Sequence, residues 1–163
     1  MKNKFAGLLA SLLLAAATTV PATAAPGGHD HHHEHAGAQP QKLQLDAGRK
    51  WMTDEALRQT MDGINQAMAG ALPRIHKHRF GDADYQALAA AVRQKVAYAV
   101  EHCRLEPRAD AMLHLVIADL LAGAEAMEAK DDPARHRGAV RVVQALHAYG
   151  DYFQHPGWRV AKG

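Results

Sequence analysis

The chain has 163 residues, 48% of them hydrophobic and 22% charged, which fits one globular domain rather than a disordered or fibrous chain. Lys and Arg number 19 against 17 Asp and Glu. Both charges in the first 24 residues, Lys2 and Lys4, are basic, so the remainder balances at 17 against 17 and carries no nucleic-acid footprint. A single cysteine, Cys103, excludes an intramolecular disulfide.

Residues 1–24 follow the grammar of a cleavable secretory signal. Lys2 and Lys4 form the positive start, Phe5 to Ala17 a short apolar run, and Ala22-Thr23-Ala24 the small-residue cleavage site. The apolar run is too short for a comfortable membrane span, and no stop-transfer pattern follows. The expected destination is a Gram-negative periplasm, with no stable membrane insertion after cleavage.

Residues 25–48 read as a histidine-rich tail and linker. Gly, Pro, Gln and Ala dominate, and apolar residues are scarce before Leu43 and Leu45, so the segment is expected to be disordered without a ligand. Within it, His29, Asp30, His31, His32, His33, Glu34 and His35 place seven potential ligands in seven consecutive positions. Imidazole is largely neutral at pH 7 and offers a borderline nitrogen suited to Cu, Zn and Ni. Such a run wraps an ion without imposing a geometry, so it ranks metals by intrinsic affinity, with Cu(II) first.

From residue 49 to 158 the periodicity is helical. Thr53 is a good N-cap, and Asp54 and Glu55 suit the positive end of a helix. Leu57, Met61, Ile64, Met68 and Leu72 then form one apolar stripe. Pro73 is expected to end or kink this helix, with a further turn through Ile75. Gly81 and Asp82 punctuate the next boundary. A second stripe runs through Tyr85, Leu88, Val92, Val96, Val100 and Cys103. Glu106-Pro107 opens a third helix, about Arg108 to Glu128, apolar over a wide arc. Asp131-Asp132-Pro133 starts a fourth helix, which His155-Pro156-Gly157 stops. Four amphipathic helices with short connections and no period-two alternation predict an all-α, up-and-down four-helix bundle, followed by a C-terminal tail at 159–163.

Inside the bundle, His147, Asp151 and His155 stand at i, i+4 and i+8, near one line of the fourth helix. His147 and Asp151 are the metal candidates there, because His155 precedes proline. Asp110 with His114 makes a second i, i+4 pair, and His76 and His78 flank Lys77. His102 and Cys103 point about 100° apart on a helix and do not readily share an ion. Met61 and His147 occupy the places where some periplasmic bundles hold b-type haem, which makes a haem electron carrier the alternative. A periplasmic interaction module, using Trp51, Tyr152 and Trp158, is a third reading. No HExxH, paired CxxC, GxSxG or phosphate-cradling loop occurs, so no enzyme is expected.

The segments LDAGRKWMTDEALRQTMDGI, HLVIADLLAGAEAM and AVRVVQALHAYGDYFQHPGW together resemble the small proteobacterial exported proteins labelled DnrO-like. The resemblance spans about residues 43–158. It implies a periplasmic helical protein with a histidine-rich leader, and it supplies no catalytic residues. The reading that follows is a periplasmic protein that buffers, delivers or senses a transition metal ion, Cu, Zn or Ni, with a periplasmic protein as a further possible partner.

Overall fold

The structure is a computed structural model that describes residues 42–162. The signal segment and the 29–35 run lie outside the described residues. The elements are β1 (Trp51–Met52), α1 (Glu55–His76), α2 (Asp82–His102), α3 (Pro107–Met127), α4 (Asp132–Tyr152) and β2 (Phe153–Gln154). The connections between helices are only a few residues long, which makes sequential helices antiparallel neighbours, and α4 returns beside α1 to close a four-helix bundle.

The stripes read from the sequence form the core. Leu57, Met61, Ile64 and Met68 of α1 meet Val92 of α2, Val116 and Leu120 of α3, and Val142 and Leu146 of α4, all without solvent exposure. The end of α2 departs from expectation, with Cys103 only half-buried. Val100 is 66% exposed, and Ala99 carries the inward face of α2 at that level.

Local chemistry refines the helix ends. Asp54, not Thr53, caps α1: its Oδ1 accepts from Leu57 N–H at 2.7 Å, while Oδ2 accepts from Arg104 N–H at 2.6 Å. One carboxylate thus satisfies a helix start and stitches the α2–α3 loop to it. Thr53 instead donates its hydroxyl to the Gln154 carbonyl. Pro73 does not end α1, which runs on to His76 because Leu72 and Ile75 are both buried. His78 adopts φ 51°, and Arg79 N–H returns to the Arg74 carbonyl, closing the helix end. Asp131 caps α4 through Ala134 N–H, one residue earlier than a cap directly before Pro133 would stand.

α3 and α4 make the most extensive pairing, whereas α1 and α4 make the thinnest of the four neighbouring pairs. Two glycines permit the first. A Cβ on Gly138 would stand 2.6 Å from the Gly123 carbonyl oxygen, and one on Gly123 would stand 2.7 Å from Val142 Cγ2. At the far end, Arg135 is 6% exposed. It reaches Asp82 of α2 at 2.6 Å, pairs with Asp132, and donates to the Ala129 and Lys130 carbonyls in the connection between α3 and α4.

The absence of strands expected from the sequence is corrected at one place. β1 and β2 pair in parallel, Trp51 with Phe153 and Met52 with Gln154. The two-residue ladder draws the lead-in of α1 against the exit of α4. Order also extends upstream of residue 49. Ala47 and Gly48, both at positive φ, form a tight turn closed by Asp46 and Arg49, and Leu43 packs on the core. Trp51 donates its indole N–H to the Gln44 carbonyl at 2.7 Å and is 4% exposed.

Past β2 the chain continues as a strap in the thin α1–α4 seam. Asn65 of α1 holds it twice, donating to the Arg159 carbonyl at 2.9 Å and accepting from Ala161 N–H at 2.8 Å. The Trp158 indole lies where a Cβ on Gly150 would be, 2.6 Å away, so only glycine admits it. Among the described residues, no helix is long and apolar enough to cross a membrane.

Candidate functional site

α4 ends at Tyr152, three residues before His155. The turn into β2 and the strap therefore takes His155 off the line it would share with His147 and Asp151. His147 is exposed, and it rims a groove of about 380 Å³ between α1 and α4 with His76, His136 and the apolar Leu72, Ile75 and Val143. Asp151 is exposed and does not line that groove. Met61 is fully buried in the core, away from His147. The Asp110–His114 pair forms on α3, with Nδ1 of His114 3.4 Å from Asp110 Oδ2 and 2.9 Å from the Asp110 carbonyl oxygen. His102 stacks on Tyr98 with ring centres 4.2 Å apart, and Cys103 is half-buried at the end of α2. Among the described residues, no group of three or more His, Cys, Asp or Glu side chains stands close enough to hold a metal ion.

The most structured polar arrangement is one that helical spacing alone did not assemble. His155 has a side chain only 6% exposed. Its Nδ1 is 2.9 Å from the hydroxyl of Tyr149, a residue with no exposure, and its Nε2 is 3.5 Å from Asp62 Oδ2 on α1. Trp158 flanks the imidazole with ring centres 5.0 Å apart, and Tyr149 meets it edge-on at 5.8 Å. Burial pushes the imidazole below its ordinary pKa, against the opposing pull of Asp62 and with help from the positive Arg58. The ring is therefore neutral at pH 7. The neighbouring Asp62 carboxylate favours N–H on Nε2, which leaves Nδ1 to accept from the Tyr149 hydroxyl. Burial likewise pushes the Tyr149 phenol upward, so it stays protonated and able to donate.

This arrangement opens onto a broad cleft over α1 of about 750 Å³, lined by Glu55, Arg58, Asp62, Lys95 and His155. Arg58 is held by its bonds to the Thr53 carbonyl and hydroxyl at 2.7 and 3.1 Å. Asp54, Arg58 and Asp62 recur every four residues on one face of α1, a pattern visible in the sequence. Nothing in that pattern names the partner that lies 93 residues further on.

Cys103 behaves differently. Burial, reinforced by the Asp54 carboxylate that accepts from its thiol, pushes its pKa up to about 12. The thiol is a small, inert filler rather than a nucleophile.

Compared with protein-family models, curated proteins and solved structures, the chain matches none.

Proposed function

We propose that this chain is a periplasmic transition-metal-binding protein, exported by residues 1–24, that takes Cu, Zn or Ni through its histidine-rich segment. The observation that carries the reading is the run of seven potential ligands from His29 to His35. Five imidazoles in that span supply more nitrogens than a four-coordinate ion requires, and Asp30 and Glu34 offset part of the ion's charge. The role is buffering, delivery or sensing rather than catalysis, and the resemblance to the DnrO-like exported proteins belongs to the same proposal.

The behaviour of the bundle supports this division of labour. A core closed by apolar stripes and glycine contacts makes residues 42–162 a closely packed body without a metal cluster of its own among the described residues.

Calorimetric titration with Zn(II) tests the reading. The chain starting at Ala25 should bind zinc stoichiometrically, and a version lacking residues 29–35 should lose most of that capacity. Equal binding by both forms would remove the run from its assigned role. Elemental analysis and an absorption spectrum of protein from the periplasmic fraction identify the ion carried, and a Soret band there would replace this reading with the haem one.

A further inference from the structure

The run Arg74-Ile75-His76-Lys77-His78-Arg79 closes α1, and α4 brings His136 and Arg137 to the same end of the bundle. The acids at that end are already engaged. Asp84 takes Arg74 at 2.6 Å, and Asp82 takes Arg135 at 2.6 Å. Asp132 pairs with the same Arg135, and Asp131 accepts from Ala134 N–H. Arg137 is left without an acid among the described residues.

Arg137 lines a cavity of about 450 Å³, with His78 and His136 as its other donors and Ile75, Phe80 and Tyr85 as apolar walls. Phe80 meets Tyr85 edge-on at 4.8 Å, and Tyr85 is 5% exposed, so these walls belong to the packed body. The one acid of the lining, Asp132, is the acid already held by Arg135. Ile75 and His136 also line the α1–α4 groove of about 380 Å³, so the two hollows meet. The groove is a different environment. Leu72, Ala139 and Val143 wall it, Val140 lines it while 41% exposed, and Ala161 of the strap lines it too. No described acid, Lys or Arg lines it. Charge and hydrocarbon are thus sorted along one continuous depression.

We infer that this depression binds one single-chain anionic amphiphile, such as a medium-chain fatty acid. Its carboxylate meets Arg137 and the imidazoles of His78 and His136, and its chain lies in the groove between α1 and α4. The guanidinium is always charged, and imidazole offers an N–H donor in either protonation state. Each hollow has the volume of a small-molecule site, about 300–1,000 Å³. Each methylene withdrawn from water tightens binding by up to about fourfold, so a chain laid along apolar walls carries most of the affinity and the cationic end sets its direction. This site is separate from the metal-capture reading and does not depend on it.

Calorimetric titration of the chain from Ala25 with sodium decanoate tests the site, below the micelle concentration and with a chelator present to hold back metal ions. One decanoate should bind per chain. Octanoate, two methylenes shorter, should bind about tenfold more weakly. Arg137→Ala should weaken decanoate about tenfold and leave uncharged decanol unchanged, because the lost contact is to the head. Val140→Asp, on an exposed position, should weaken both ligands at least tenfold with helical content intact. The site is overturned if decanoate fails to saturate at one per chain, or if either variant binds it as the wild-type chain does. Sedimentation with phosphatidylglycerol vesicles is the second arm. Vesicle binding by a chain that ignores dissolved decanoate would assign the basic end to a membrane surface and overturn the pocket.

Discussion

At the scale of single residues, neighbours decide what each titratable group can do. Cys103 was expected on the buried stripe of α2, and the structure places it half-buried at the helix end, where it donates to Asp54. Its pKa of about 12, against an ordinary 9.0, leaves about a thousandfold less thiolate at pH 8 than a free cysteine has. Labelling by a disulfide reagent should therefore be slow in the folded chain and rise roughly tenfold per pH unit, with no plateau below pH 11. A plateau near pH 9 would show an exposed, ordinary thiol. Asp62 teaches the converse lesson. On α1 it is one more acid on a polar face, and only the return of the chain from α4 gives it an imidazole to face. His155 was visible in the sequence as a histidine before proline, but its nearest-looking partner, Asp151, lay along the helix. The helix ends three residues too early for that pairing.

At the scale of elements, the helices were legible because each carries a continuous apolar stripe of period 3.6, and burial enforces that period. Helix ends were less legible, since capping is a competition among adjacent side chains. Thr53 and Asp54 are both good caps by type. The Gln154 carbonyl takes the Thr53 hydroxyl and leaves the cap to Asp54, a choice made by a residue 101 positions away. Pro73 likewise reads as a break, but burial of Leu72 and Ile75 outweighs one missing hydrogen bond. The α3–α4 contact rests on Gly123 and Gly138, neither of which the periodicity singles out. Gly138→Ala should destabilise the protein by about 1–3 kcal/mol, because the new Cβ meets backbone that has no room to move. The control is Gly70→Ala in α1, where a Cβ meets nothing within 4 Å, and this substitution should stabilise slightly. Chemical denaturation of the two variants checks both signs. Equal effects would mean that the α3–α4 contact is looser than described.

At the scale of the whole molecule, the bundle was foreseeable and its closure was not. Short connections dictate antiparallel neighbours, but no local pattern announces a two-residue parallel ladder or a strap held by Asn65. These are long-range contacts that exist only once four helices have assembled. Asn65→Ala should leave the helical content unchanged, yet speed amide exchange at Ala161, whose N–H then loses its acceptor. Unchanged protection at that amide would show that the Trp158 packing alone holds the strap. The ladder itself has an entropic cost. Lys50 donates to the Gly150 carbonyl across 100 residues, beside the Trp51–Phe153 pair. Closing a loop of that length costs about 4 kcal/mol in chain entropy, whereas each helical hairpin closes over a few residues. The hairpins thus carry the small closure cost, and the ladder shares the large one with the other contacts across the α1–α4 seam. Asp62 and His155 face each other across that same seam, so the imidazole meets its carboxylate only where the two ends of the bundle are held together.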